Sequence, residues 1–590
     1  MKNEPDRTDF FALLKDHIDL VSVPFSDRGS RILLFRTANK AILSVKLAER
    51  LTFLDADIEA YLRRPPFIHD LRFLDESGKP LDFTITTYPH RVMFSTAIGD
   101  FGMAFRDEQT LVIGLPAGRQ AGIRFTVDKG KGETLLNGGR VNSYRALDYH
   151  FNTALLIHAQ SAVQGDWKVE LTAESAQDSA IFLRIGEDAE DGMIGEFPAF
   201  TSVVERAAQR WKEWFAKAPP VDERYQKTYS LAWWVMANNL LSPRGCLAYE
   251  GMVPSKTKYV GLWLWDSALH ALAFRHIDAL LAQNQLRAML AQQLPDGMLP
   301  DAIYDEGVVS EISHPIRARV TKPPILAWAA MKLYEQNKDG DFIREIYPRL
   351  CRWNAWWFQQ NLDEHTGLAQ YRHPYSSGLD DNPLWDGGMP VVSPDLNTYL
   401  VLQMQALSHM AALLGLAGEA ESWQIKATTH TGKMIAALWD EKKGVFNALH
   451  NGQPIPALTP FNLYPLWTAQ MPAEIQARLL DHLTNPQEFW GKYTLPTVAR
   501  CDANFNPATM WRGPVWANIN YFFIEALSNI GEKELSGALR QKTLDMIMAQ
   551  EGIFEYYNAA NGKPGKNASP IFGWTAAVFI ELAIQASRNT

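Results

Sequence analysis

Through residue 198 the chain alternates apolar and polar positions with a period of two. Leu81, Phe83 and Ile85 alternate with Asp82, Thr84 and Thr86, and Trp167, Val169 and Leu171 do the same around Lys168 and Glu170. Such alternation buries one face of a sheet and wets the other. Turn formers, Asp75-Glu76-Ser77-Gly78 and Asn137-Gly138-Gly139 among them, punctuate the runs. The pattern predicts an antiparallel β-sandwich domain over residues 1–198.

A helical stretch ending in Trp211-Lys212-Glu213-Trp214-Phe215 follows, and Ala218-Pro219-Pro220 breaks it. Residues 199–221 are read as a linker helix. From 222 to 590 the period becomes helical. Ser393-Pro394-Asp395 supplies an N-cap, an N1 proline and a first-turn acid. Leu396, Leu400, Met404, Leu407, Ala411 and Leu414 then recur at steps of three and four until Gly415. Helix starts are expected near 225, 266, 277, 323, 341, 395, 418, 460, 472, 514, 533 and 571. Twelve helices in paired succession, with no strand grammar between them, predict six hairpins closing into an (α/α)6 barrel.

Composition adds exclusions. The 590 residues are 47% hydrophobic and 21% charged, as in globular proteins, and carry a formal net charge of −9. That sign gives no general attraction to nucleic acid or anionic lipid. The three cysteines, Cys246, Cys351 and Cys501, form no C-x-x-C pair, which excludes a disulfide framework and a cysteine-rich zinc site. The N-terminus carries Glu4 and Asp6 where a signal peptide needs a basic start. No apolar run of about 18 residues follows. A soluble, cytoplasmic protein is expected, in which the Asn567-Ala568-Ser569 sequon is a chance match.

The common nucleophile, phosphate and dinucleotide signatures (G-x-S-x-G, H-E-x-x-H, the Walker loop, G-x-G-x-x-G) are missing. His270 and His276 are six apart, off a shared helix face, and read as ordinary satisfied histidines rather than metal ligands. Of the 19 tryptophans only Trp167 precedes residue 205, and several others lie in loops rich in glycine and acids. Tyr259-Val260-Gly261-Leu262-Trp263-Leu264-Trp265-Asp266 is the first such loop. In an extended segment Trp263 and Trp265 face the same way, and an indole wall beside a carboxylate suits the apolar faces and hydroxyl edges of a sugar. Core tryptophans with a helix-capping Asp266 satisfy the same pattern. The second loop, Tyr375 to Gly388, holds Asp380, Asp381 and Asp386 and reads either as a charged site or as a solvated turn. The third is Met510-Trp511-Arg512-Gly513-Pro514-Val515-Trp516, where Arg512 can hold an acid or a hydroxyl. The fourth, Phe554-Glu555-Tyr556-Tyr557-Asn558, is closed by Ile571-Phe572-Gly573-Trp574-Thr575. Together these loops supply two carboxylates, distant in sequence, at one aromatic mouth, as glycoside hydrolysis requires. Composition leaves open which two.

Six motifs occur in one order: Trp263-x-Trp265-Asp266, Pro295-Asp296-Gly297-Met298-Leu299-Pro300, Pro323-Pro324-x-Leu326-Ala327-Trp328, Ser377-Gly378-Leu379-Asp380, Trp511 to Trp516, and Phe572-Gly573-Trp574-Thr575. The series, over about 225–588, resembles glycoside hydrolase family 63 and its mannosylglycerate/glucosylglycerate hydrolase-like relatives. The resemblance implies a β-sandwich before an (α/α)6 barrel and an inverting exo-acting α-glycosidase, usually removing terminal α-glucosyl groups. It places the general acid on Asp380 and the general base on Glu555. Its substrate-contacting positions fall on Tyr259, Trp263, Trp265, Asp266, Lys322, Tyr375, Gly378, Trp511, Arg512, Trp516 and Trp574.

Three positions depart from the glycerate-glycoside enzymes: Lys322 stands where Gln is frequent, Met510 where Tyr is, and Tyr375 where Trp is. They lie near the leaving group and point away from glucosylglycerate itself. A small-molecule carbohydrate is thus the expected partner. Acid–base hydrolysis requires no cofactor and no metal-ligand spacing stands out, although oxygen ligands for a structural calcium leave little sequence trace. Alternatives kept open are a trehalase-like or phosphorolytic enzyme on the same barrel, an epimerase or lyase, and a non-catalytic carbohydrate-binding protein. Oligomeric state is not legible in the sequence.

Overall fold

The computed structural model describes residues 9–51, 60–135, 137–187 and 196–588. The chain is multidomain, with antiparallel sheets toward the N-terminus and helices toward the C-terminus. One compact unit comprises Met1–Ala218, Ala237–Ser242 and Lys256–Val260; the other comprises Pro219–Met236, Pro243–Ser255 and Gly261–Thr590.

In the first unit one sheet has six strands: β1 (Ile32–Arg36), β2 (Leu43–Leu47), β3 (Ile68–Leu74), β8 (Arg119–Val127), β13 (Asp166–Ser175) and β12 (Leu155–Val163), neighbours in that order. The second has eight: β4 (Thr84–Tyr88), β5 (Arg91–Thr96), β6 (Gly99–Asp107), β7 (Thr110–Gly114), β14 (Ala180–Gly186), β11 (Ala146–Phe151), β10 (Gly138–Asn142) and β9 (Lys131–Leu135). Alternation decides their faces: Leu43, Val45 and Leu47 are buried while Ser44 and Lys46 are half-exposed. Aromatic rings join the inner faces, with Phe73 of β3 meeting Phe94 and Phe101 of the other sheet at 5.0 and 4.2 Å. The alternation expected over 81–86 forms a strand only from Thr84.

The helix expected after the sheets spans Phe200–Ala216 and falls in the first unit. The Phe200 ring lies so close over Gly102 and Gly114 that a Cβ at either would sit 2.5 or 2.4 Å from it. Those glycines let the helix approach the eight-stranded sheet.

In the second unit the longer helical segments begin at residues 226, 264, 279, 326, 340, 394, 417, 460, 473, 517, 533 and 573. Each lies within three residues of its expected start. One is a 3-10 segment, Pro460–Thr468, because Pro465 inside it lacks the amide an α-helix would use. Ser393 precedes the Pro394–Leu413 helix as expected but does not cap it: its hydroxyl donates to the Asp395 carboxylate instead. Gly415, at φ 77°, stands just past that helix's end. Alternate segments touch in a cycle: Leu264–Phe274, Leu326–Asn337, Pro394–Leu413, Pro460–Thr468, Ala517–Asn529, Gly573–Arg588, and back to the first. Among the described residues no helix is long and apolar enough to cross a membrane.

Candidate active site

The site is built on loops that enter these helices. Leu262–Trp263 pairs with Ala302–Tyr304, setting Trp263 opposite Ala302 and bringing Asp301 alongside. The helix begins at Leu264, with Trp263 as its N-cap and Asp266 in its first turn, where exposed amides favour a carboxylate. This early start corrects one expectation: Trp263 and Trp265 do not face the same way. Trp263 stands edge-on to Tyr304 and hydrogen-bonds the Asp301 carboxyl, whereas Trp265 turns toward Trp511 and Trp574.

Lys322 follows the strand Ala318–Arg319 and precedes Pro323-Pro324, which hold the chain extended. The residue is 95% buried, and its ammonium lies 2.9 Å from Asp301 Oδ1 and donates to the Tyr375 carbonyl at 2.5 Å. Tyr375 sits in the 3-10 turn Pro374–Ser377, which Gly378 ends in the left-handed region at φ 74°. A side chain at Gly378 would meet the Trp265 ring at 2.4 Å, so this glycine serves both the turn and the close approach.

Two residues on, Asp380 is half-buried, and its Oδ1 is buried with no hydrogen-bond partner. Burial pushes its carboxyl up to about 7; Lys322 opposes the rise, and Asp301, Asp381 and Glu555 add to it. Glu555, 2% exposed, is held by a two-stranded contact: its amide donates to the Ser569 carbonyl at 3.0 Å, and its Oε2 accepts from the Ser569 amide at 2.9 Å. Asp266, 3% exposed, is raised well above the usual carboxylate range by burial, with Lys322 opposing and Asp301 and Glu555 contributing. Asp301 is likewise raised by burial, against the pull of Lys322. On Lys322 burial pulls downward, but Asp301, Asp380 and Asp266 prevail and keep it charged. Asp266, Asp301, Asp380 and Glu555 therefore form one electrostatic cluster around a single ammonium. Four carboxyls, three of them buried and that of Asp380 half-buried, cannot all ionise against one cation, so the cluster holds a proton near neutral pH.

The aromatic wall is a packed set. Trp511 and Trp516 stack with centroids 3.7 Å apart and planes at 5°, Tyr556 stacks on Trp516 at 4.7 Å, and Trp574 stands edge-on to Trp265 and Trp516. These indoles are almost wholly buried. Arg512 holds an acid: its fork reaches both Asp386 oxygens at 2.7 and 2.8 Å, and it donates to the Asp381 carbonyl at 3.0 Å. Asp381 accepts the Trp511 amide at 2.8 Å, and Asn382 donates to the Trp511 carbonyl at 3.0 Å. The acid-rich loop and the Trp511–Trp516 loop are thus stitched together.

Twelve of the thirteen site residues expected from sequence lie in the second unit; Tyr259 lies in the first, with the Lys258 ammonium 4.9 Å over its ring. Asp301 was missed, although it shows a signal, an acid set in the apolar run Met298-Leu299-Pro300-Asp301-Ala302-Ile303. The expectation of two satisfied histidines is only partly met: His276 Nε2 meets Glu581 at 2.8 Å but its Nδ1 is buried without a partner, and neither ring nitrogen of the fully buried His270, pushed down to about 3 by burial, makes a hydrogen bond. Among the described residues no group of three or more His, Cys, Asp or Glu side chains is arranged to hold a metal ion.

A cluster of carboxyls with a neighbouring set of packed tryptophans, on helices cycling in alternate order, is an arrangement consistent with a glycoside hydrolase, and the comparisons with known proteins give that class. The profile of the mannosylglycerate hydrolase MGH1-like glycoside hydrolase domain matches residues 259–575, more than half the chain, and the chain belongs to that family. It is 28% identical over 400 residues to the mannosylglycerate hydrolase of Thermus thermophilus, spanning 55% of this chain and 95% of that one. The structure of a GH63 mannosylglycerate hydrolase from Thermus thermophilus in complex with glucose matches with a TM-score of 0.52 and 26% identity, over 60% of this chain and 98% of that one. A bacterial glucoamylase complexed with acarbose matches at TM-score 0.59 over 96% of this chain and 94% of its own, but at 10% identity shares only the fold.

Proposed function

We propose that the protein is an inverting exo-α-glycosidase that removes a terminal α-glucosyl residue from an oligosaccharide or small glucoside. Its architecture under this reading is a β-sandwich domain, a linker helix and an (α/α)6 barrel, supported by the cyclic order of alternate helices. The observation that carries the reading is the Asp380 carboxyl, with one oxygen buried and unpartnered, held at about 7 and coupled to Glu555. Such a group is protonated at mildly acidic pH, and its unpartnered oxygen is not spent on a hydrogen bond within the protein.

In the proposed reaction Asp380 donates its proton to the glycosidic oxygen as the bond to the anomeric carbon breaks. Glu555, ionised, takes a proton from a water that attacks the opposite face of the ring. The products are the free sugar, with its anomeric configuration inverted, and the protonated leaving group. Inversion needs about 6.5–9.5 Å between the two carboxyls to admit that water. Asp266 and the wall of Trp265, Trp511, Trp516 and Trp574 would hold the glycone, one by hydrogen bonds to hydroxyls and the others through its apolar face. Lys322, in place of the family's frequent Gln, puts a fixed positive charge beside Tyr375 on the leaving-group side. The glucose held by the Thermus relative favours a glucosyl glycone; the activity in that relative's name makes α-mannosyl the second candidate.

A panel of α-glucosyl disaccharides, glucosylglycerate and mannosylglycerate tests substrate class, and Asp380→Asn and Glu555→Gln test the roles. Each variant is expected to lose about 10²–10⁴-fold in kcat while melting like the parent. Near-parental turnover in either would remove that carboxylate from the mechanism.

A further inference from the structure

Away from the carboxylate cluster, the second unit holds a cavity of about 550 Å³ between the segment 316–319, the end of the Gly340–Gln360 helix, Arg372 and Met389-Pro390. None of its lining residues belongs to the cluster. Three of them are arginines, and their charges are unevenly answered. Arg317 pairs with Glu311 at 2.6 Å, and Arg319 grips both oxygens of Asp296 while lying 5.7 Å over the Trp356 ring. Arg372 has only a neutral partner: its Nε donates to the Gln360 carbonyl at 3.1 Å, and no carboxylate among the described residues pairs with it. Three guanidiniums against two carboxylates leave one positive charge, carried on the terminal nitrogens of Arg372.

A second observation points to a ligand. Asn361 lines the same cavity, is 95% buried, and its Nδ2 donates to nothing. An unanswered buried donor costs about 1–3 kcal/mol, a cost that an acceptor in the cavity would relieve once the Asn361 amide turns toward it. The remaining wall is mostly apolar, from Ile316, Ala318, Trp356, Met389 and Pro390, with Gln360 as its one further polar residue. A volume in the usual range for small-ligand sites far exceeds what a bare ion fills.

We propose that this cavity is a ligand site, distinct from the Asp380–Glu555 cluster, for a small hydroxylated anion, a sugar acid or a sugar phosphate. The oxyanion takes the Arg372 fork, whose parallel N–H groups match carboxylate and phosphate oxygens alike. A hydroxyl or ring oxygen answers Asn361, and the carbon skeleton lies along the apolar wall. Net positive charge selects anions, and volume selects those that carry a body.

Calorimetric titration of the full chain with glucuronate, glucose 6-phosphate, inorganic phosphate and glucose tests this, using parent, Arg372→Gln and Arg372→Lys. At least one of the two sugar anions is expected to bind. Arg372→Gln should weaken it about tenfold or more, the loss of one charge-assisted bidentate contact, and Arg372→Lys should fall between. Whichever sugar anion binds more tightly names the source of the oxyanion. Arg372 is exposed and its side chain donates a single hydrogen bond, so both variants should melt and turn over substrate like the parent. Equal anion affinity in parent and Arg372→Gln, no binding of either sugar anion, or inorganic phosphate binding as tightly as both would each overturn the proposal.

Discussion

Lys322→Gln removes the one cation in the carboxylate cluster and restores the residue frequent in the glycerate-glycoside relatives. The Asp380 carboxyl stands at about 7 because burial raises it and Lys322 pulls it back. An opposite charge at close range typically lowers a carboxyl by about 1–3 units, each worth about 1.4 kcal/mol. The variant should not recover that whole range. Without its partner at 2.9 Å, Asp301 also becomes easier to protonate, which relieves part of its repulsion of Asp380. A net rise of about one unit is the expected result. If Asp380 is the acid, activity is lost as pH rises through its folded value, so the alkaline limb of kcat/KM should move upward by about one pH unit in Lys322→Gln. At pH values well below both limbs the Asp380 protonation states converge. The assay is kcat/KM of parent and variant from acid to alkaline pH, with a melting curve at each pH to verify the fold. An alkaline limb that stays in place or moves downward would refute the electrostatic reasoning.

Two further predictions concern stability. Gly378→Ala puts a Cβ into the left-handed region and against the Trp265 ring, so it should cost about 2–4 kcal/mol in chemical denaturation and lower kcat by moving Asp380 two residues on. Parental stability would mean that the Gly378–Trp265 contact is looser than described. Glu581, buried with Arg275 and His276, is held down to about 2 from 4.5: burial opposes ionisation, but Arg275 and His276 outweigh it. Its ionised form therefore contributes roughly 3 kcal/mol that is present above about pH 4.5 and lost as pH falls toward 2. Glu581→Gln should be less stable than the parent at neutral pH, with the gap closing as the medium is acidified through that window; a constant gap would contradict the assignment.

The parts of this molecule that were legible in its sequence are those set by local periodicity. The helix starts follow from apolar steps of three and four with prolines and turn residues at their margins, and Trp167, Val169 and Leu171 read correctly as one strand's period. What was not legible depends on where elements begin to the residue and on contacts between distant loops. Trp263 and Trp265 diverge because the helix starts between them, a one-residue matter that alternation cannot resolve. Asp301 escaped notice because its significance lies in meeting Lys322 and Trp263, residues 21 and 38 positions away. Arg512 read as able to hold an acid, and it does, but that the acid is Asp386 depends on two loops some 126 residues apart folding against each other. The family motifs marked the loops; only the three-dimensional arrangement shows which side chains share one field.

The central claim, that Asp380 protonates the leaving group while Glu555 activates water on the opposite face, is tested most directly by the configuration of the first product. Proton NMR of a cleaved α-glucoside, recorded before mutarotation, should show the β-anomer appearing first. If the α-anomer appears first, the reaction retains configuration, and the water-mediated role given to Glu555 is wrong.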